Sequence, residues 1–99
     1  MYTDNILKEE FYTFLKEKGY KEYTPSGNKS TLYDYLGRIE RICKDEGITW
    51  NELLKQINKF VQDYDKNGVK SELGEKSHRA VINALKRYQE FSRMLDNEL

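Results

Sequence analysis

The sequence contains little of what stabilises secreted or membrane proteins. Its single cysteine, Cys43, excludes an internal disulfide, and one unpaired thiol is typical of a reducing compartment. No stretch approaches the roughly 18 consecutive apolar residues of a membrane span. The N-terminus also lacks the basic and apolar regions of a signal peptide. We therefore expect a cytoplasmic protein that does not contact a membrane.

Residues that could carry chemistry are equally scarce. His78 is the only histidine, so a zinc site would lack ligands at the usual spacing. Asp63, Asp65 and Asn67 alternate as in calcium-binding loops, but Gly74 stands where such a loop needs a bidentate glutamate. No glycine-rich phosphate loop follows a strand. The pattern therefore predicts no catalytic residue, metal, cofactor or small-molecule substrate, and hence no enzyme.

Apolar and aromatic residues, by contrast, recur at helical spacing along what we expect to be one domain, residues 1–99. Their period predicts four helices over about residues 4–18, 29–46, 50–65 and 76–96. No run of residues has the alternation typical of a strand. The expected fold class is all-α, in the form of a compact four-helix orthogonal bundle.

Short local signals predict the helix ends and the core. Asp4 is expected to cap the first helix, Gly19 to end it, and Thr49 with Glu52 to form a capping box. The first helix would bury Ile6, Leu7, Phe11, Phe14 and Leu15, and Cys43 would be a small buried hydrophobe. The other helices would contribute Leu32, Tyr35, Ile39, Leu53, Ile57, Phe60, Val81, Leu85 and Tyr88 to the same core.

The net charge of zero conceals an uneven distribution of charge. Residues 28–44 carry +2 and residues 69–93 carry +3, so the rest of the chain carries −5. Helical wheels place the cations of both segments opposite the apolar stripes. A solvated polar surface is the ordinary explanation for either face alone. Two basic faces on an otherwise acidic chain favour a polyanionic partner, because Lys and Arg neutralise phosphates.

Several segments, in order, resemble one family. Residues 31–39 (Thr-Leu-Tyr-Asp-Tyr-Leu-Gly-Arg-Ile) resemble the Thr-apolar-x-x-Tyr-x-x-x-apolar signature of the N-terminal core-binding domain of tyrosine recombinases, the phage integrases. Residues 77–79 and 84–91 are similar to the last helix of that domain, typically Ala-Leu-basic-basic-aromatic followed by Phe. Ile-Thr-Trp at residues 48–50 fits the start of its third helix.

This resemblance implies a SAM-like bundle whose second and fourth helices lie against the DNA major groove. The catalytic residues of that family belong to a separate C-terminal domain, so this chain would bind double-stranded DNA without reacting with it, as a monomer in isolation. The expected DNA-binding residues are Lys29, Ser30, Tyr33, Gly37, Arg38, Arg41, Lys76, Ser77, His78, Arg79, Asn83, Lys86 and Arg87. The loop over residues 19–29 is longer than the link usual in the family, which leaves the tilt of the second helix open.

A second class of function stays open. Tyrosine is enriched at protein interfaces, and Tyr12, Tyr20, Tyr23 and Tyr33 lie where they can be exposed. The alternative is therefore a helical protein-interaction or oligomerisation module, which either binds an acidic partner or forms oligomers. Steep salt dependence of binding to duplex DNA would distinguish the two.

Overall fold

Six helices form the fold in a computed structural model that describes residues 3–98, apart from the side chains of residues 77, 78, 97 and 98. They are α1 (Asp4–Glu17), α2 (Thr31–Glu46), α3 (Trp50–Lys55), α4 (Ile57–Tyr64), α5 (Ser71–Gly74) and α6 (Lys76–Glu98). The radius of gyration, 13.2 Å, matches the about 13 Å expected for a compact chain of this length. The predicted all-α class is confirmed.

The helix ends follow the local signals with two corrections. Thr3 rather than Asp4 caps α1, since the Ile6 N–H donates to Thr3 Oγ1 at 3.2 Å. Asp4 instead lies in the first turn, where its carboxylate accepts a hydrogen bond from the backbone N–H of Trp50 at 3.1 Å. The second helix begins at Thr31 rather than at residue 29, because the side chain of Ser30 caps it.

Two other end signals act as expected. The side chains of Thr49 and Glu52 each accept the backbone N–H of the other, at 3.0 and 3.1 Å, in the predicted capping box of α3. Gly19 follows the end of α1 with φ 103°, a conformation that residues with a Cβ rarely adopt.

The single helix predicted over residues 50–65 is wrong, because the chain breaks at Gln56 into α3 and α4. There the backbone has φ −109° and ψ 17°, and the Gln56 N–H approaches the carbonyls of both Glu52 and Leu53. Such a tightened last turn ends a helix without Gly or Pro. The connection predicted after residue 65 also contains a helical turn, α5, which packs on α4 and α6.

The core is centred on α6, which contacts all five other helices. The ring of Phe11 on α1 lies 5.1 Å from that of Tyr88 and 6.3 Å from that of Trp50. The buried Tyr88 hydroxyl donates to the Trp50 carbonyl oxygen at 2.9 Å, so its polar group is satisfied. This contact ties α6 to the start of α3.

The predicted core is confirmed with one exception. All nine residues predicted from the later helices are buried in one cluster, together with Leu7, Phe11, Phe14 and Leu15 of α1. The predicted burial of Ile6 is wrong. Its side chain lies beside the buried stripe of α1 and is 42% exposed. Cys43 is buried, and desolvation raises the pKa of its thiol to about 12, consistent with a small buried hydrophobe.

None of the helices within residues 3–98 is long and apolar enough to cross a membrane.

The packing of α5 on α4 gives a stability prediction. A Cβ at Gly74 would overlap the carbonyl oxygen of Tyr64, so Gly74→Ala must displace α5. Overpacking of this kind costs about 1–3 kcal/mol, and urea denaturation should show that loss in the free energy of unfolding. Gly37→Ala is the control and should not lower stability, because apart from the neighbouring backbone of α2 no described atom lies within 4 Å of a Cβ built there. A Gly74→Ala protein as stable as the wild type would contradict this packing.

Candidate nucleic-acid interface

The outer face of α2 presents backbone and cations to solvent. Gly37 is exposed, and the cations around it alternate with carboxylates: the same surface is lined by Arg38, Arg41 and Lys44 and by Asp34, Glu40 and Asp45. The Arg41 side chain is 77% exposed. Nothing in the described residues requires a glycine at position 37, where φ is not positive. The face therefore allows another molecule to approach the helix backbone closely.

The arginines of this face are paired within the helix. Arg41 Nε donates to Asp45 Oδ1 at 3.1 Å. Arg38 Nε lies 3.3 Å from Asp34 Oδ1 but makes no aligned hydrogen bond within the described part of the chain. Exposed ion pairs at this spacing contribute only about 0.3–0.5 kcal/mol. Both guanidinium groups can therefore exchange these carboxylates for a stronger anionic ligand.

A cleft of about 490 Å³ separates the C-terminal half of α2 from α5 and the start of α6. We call it the α2–α6 cleft. It is lined by Arg38, Arg41, Ile42, Asp45, Glu46, Tyr64, Lys70, Leu73, Lys76 and Val81. The cleft brings Arg38 and Arg41 of α2 onto the same surface as Lys76 of α6.

Lys70 belongs to this cleft, although sequence reasoning did not select it. Its ammonium group pairs with Glu46 and lies 5.7 Å from the Tyr64 ring centroid and 5.9 Å from that of Phe60. The ion pair with Lys70, more than any other contact, holds the pKa of Glu46 below its usual value. The uneven charge of residues 69–93 was the available signal, but Lys70 lies in a turn-rich segment outside the predicted helices.

Two of the predicted cations of α6 bind one carboxylate. Arg79 Nη2 lies 3.4 Å from Asp65 Oδ1, and Lys86 Nζ lies 3.2 Å from Asp65 Oδ2. The hydrogen bond from the Lys66 backbone N–H is the main cause that lowers the pKa of the Asp65 carboxyl group, and the hydrogen bond from Lys86 lowers it further. The two side chains are therefore turned toward the end of α4. Arg79 also has φ 68°, so the first turn of α6 is irregular.

Arg87 departs from the helical wheel, which places it opposite the core. Its side chain is half-buried, and its Nη1 lies 3.3 Å from Glu90 Oε1. Glu90 Oε2 in turn lies 3.2 Å from Nζ of Lys18, which directly follows α1. Arg87 therefore belongs to an ion-pair chain that links α6 to α1. Asn83, one turn earlier, is partly exposed.

The predicted residues at the start of α2 form a separate group with the tyrosines. The Tyr33 ring lies 6.1 Å from that of Tyr12 and 5.8 Å from that of Tyr23, and Lys29 Nζ lies 5.5 Å from the Tyr33 ring centroid. The hydrogen bond with Tyr23 is the main cause that raises the pKa of the Tyr33 hydroxyl. The Ser30 hydroxyl donates to the Lys21 carbonyl, so it fixes the loop before α2.

The side chains of residues 77 and 78 lie outside the described part of the chain, so the predicted roles of Ser77 and His78 are not placed.

Comparisons of the chain with protein-family models, with curated proteins and with solved structures found no match. The resemblance to recombinase core-binding domains therefore rests on the sequence motifs. Within the described residues no group of three or more His, Cys, Asp or Glu side chains is arranged to hold a metal ion. The α2–α6 cleft places four cations, Arg38, Arg41, Lys70 and Lys76, where an anionic ligand could contact them.

Proposed function

We propose that this chain is a non-catalytic DNA-binding domain, a SAM-like bundle of the core-binding kind found in tyrosine recombinases. The observation that carries the proposal is the α2–α6 cleft, where Arg38 and Arg41 of α2 meet Lys76 of α6 beside the exposed Gly37. The cleft lining has more cations than carboxylates, with Arg38, Arg41, Lys70 and Lys76 against Asp45 and Glu46, and it joins the two helices that the sequence pattern selects.

A duplex would bind to the outer face of α2. The major groove, about 12 Å wide, admits an α-helix, and Gly37 lets the backbone of α2 approach the groove without a side chain in between. Arg38, Arg41 and Lys76 then reach phosphates, which fix the register of the protein on the duplex. Catalysis would belong to a separate C-terminal domain of the full-length protein.

The cations paired with Asp65 take a secondary part in this proposal. Arg79 and Lys86 share one carboxylate, and a phosphate that reaches them must compete with Asp65. Lys29 and Tyr33, in the tyrosine group at the start of α2, lie at the edge of the same helix. Arg38 and Arg41 must likewise give up Asp34 and Asp45. Arg41, Lys44 and Lys76 are more exposed than Arg79 and Lys86, and we expect these three to contribute the larger share of the affinity.

The salt dependence of duplex binding tests the proposal. If about four phosphates are neutralised, the logarithm of the affinity should fall with the logarithm of salt concentration at a slope near −3.6. Fluorescence anisotropy of a labelled duplex of about 20 base pairs, starting at about 50 mM salt, measures that slope. An absence of binding at the lowest salt, or a slope near zero, would contradict the proposal.

Substitutions of Gly37 give a second test, because a side chain at this position should stabilise the helix and a long one should weaken duplex binding. Glycine inside a helix costs about 1 kcal/mol relative to alanine, so Gly37→Ala should raise the free energy of unfolding by up to that amount. Gly37→Gln keeps a good helix former but adds a long side chain where the duplex must approach. We expect Gly37→Gln to weaken duplex binding severalfold while the protein stays folded. Unchanged affinity would show that DNA does not approach this position.

A further inference from the structure

We propose that the α2–α6 cleft is also a docking site for an acidic peptide segment that carries one large apolar side chain. The site differs from the proposed duplex interface in its floor, although the two share Arg38 and Arg41 at the rim. The proposal does not rest on DNA binding, since it follows from the apolar floor and the charge of the rim.

The floor of the cleft is apolar. Ile42, Tyr64 and Val81 form it and are nearly fully buried, whereas Leu73 on α5 is 41% exposed and forms a wall. The volume of about 490 Å³ falls in the range of about 300–1,000 Å³ typical of ligand pockets. An apolar side chain that enters the cleft would therefore cover Leu73 and lose its own contact with water.

The rim carries an excess of positive charge. Arg38, Arg41, Lys70 and Lys76 face only Asp45 and Glu46 among the residues that line the cleft. Glu46 is already bound by Lys70 and by the Tyr64 hydroxyl, which donates to it at 3.0 Å. Arg41 is paired with Asp45, and Arg38 with Asp34 outside the lining, so an acidic ligand would replace these two carboxylates and add a contact with Lys76. Arginine binds carboxylates in a bidentate geometry, so acidic side chains on either side of the apolar one would be recognised.

Duplex DNA cannot use the floor in this way. Its surface offers phosphates, sugars and base edges, and the thymine methyl is the apolar group in the major groove. An acidic peptide offers both chemistries at once, with carboxylates for the rim and a leucine or phenylalanine for the floor. Because both ligands would contact Arg38 and Arg41, the peptide should compete with the duplex.

Two labelled peptides test the proposal. The first is a ten-residue peptide of Asp and Glu with one central Leu, and the second has Ser in place of that Leu. Burial of a leucine side chain predicts that the first binds about tenfold or more tightly than the second, as measured by fluorescence anisotropy. Equal affinities would overturn the proposal, because charge alone would then account for binding.

Matched variants locate the site. Leu73→Ser removes the exposed wall of the cleft, whereas Val69→Ser changes an 86% exposed residue outside the cleft lining. Leu73→Ser should weaken binding of the Leu peptide about tenfold, and Val69→Ser should leave it unchanged. An equal effect of the two variants would overturn the proposal.

The same variants separate this proposal from the DNA-binding one. Neither substitution changes a charge, so both should leave duplex affinity within about twofold of the wild type. Selective binding of the Leu peptide by a protein that does not bind duplex would support docking and reject the DNA-binding function. Duplex binding without selectivity for the Leu peptide would overturn docking alone.

Discussion

Replacing Leu85 with alanine should lower the free energy of unfolding by about 2–5 kcal/mol. Leu85 is fully buried on α6, the helix that contacts all the others. The substitution removes apolar contacts and leaves a cavity that a small, aromatic-rich core cannot readily close. Because a domain of this size is stable by only about 5–15 kcal/mol, the loss should also appear as a large fall in the melting temperature.

The control for this prediction is Val69→Ala, since Val69 is 86% exposed. Urea denaturation followed by circular dichroism measures both proteins under one set of conditions. Val69→Ala should change the free energy of unfolding by less than about 0.5 kcal/mol. If Leu85→Ala were equally harmless, the packing of the other helices around α6 would be wrong.

Reversing two charges on α2 should nearly abolish duplex binding. Arg41 and Lys44 are both exposed on the outer face beside Gly37, so Arg41→Glu with Lys44→Glu should not disturb the core. Each phosphate contact contributes roughly tenfold in affinity near 50 mM salt, so loss of two contacts costs about a hundredfold. Repulsion between the new glutamates and the phosphates adds to that loss.

The matched control reverses Lys55 and Lys59 to glutamate. Both are exposed, on α3 and α4, and the change in net charge is the same. The control should retain duplex affinity within severalfold, and circular dichroism should show that both double variants are folded. An equal loss in the two would mean that binding follows net charge and not the α2 surface.

The sequence was most informative where one helix turn decides the outcome, although the cap predicted at Asp4 is made by its neighbour Thr3. Gly19 and the Thr49–Glu52 pair act through neighbours three or four residues away, so their roles could be predicted from local chemistry. The buried stripe of α2, with Leu32 and Ile39, likewise follows from helical spacing. Burial of these residues depends on which face is apolar, and that property is local.

The break in the third predicted helix could not be anticipated in this way. Leu53 and Ile57 keep the same helical spacing across Gln56, and neither Gly nor Pro marks the turn. The helical turn of α5 depends on contacts with distant residues, such as the pair of Lys70 with Glu46. Periodicity contains no information about such contacts.

Long-range ion pairs also limited the prediction of the site. A helical wheel places Lys86 and Arg87 on one outer face, but each bends toward a different neighbour. Lys86 reaches Asp65 at the end of α4, whereas Arg87 pairs with Glu90, which also pairs with Lys18 at the end of α1. The orientation of such long side chains depends on which carboxylates the fold brings near them. Of the predicted cations, Arg38 and Arg41 of α2 and Lys76 of α6 line the cleft.

The most direct test of the central claim is a titration of unlabelled duplex into ¹⁵N-labelled protein at low salt, with the backbone amide shifts followed by NMR. The account predicts that the largest shifts fall on residues 37–44 of α2 and on the first turns of α6, and that they diminish as salt is added. Shifts concentrated on α1, α3 and α4, or no shifts at any salt concentration, would contradict it.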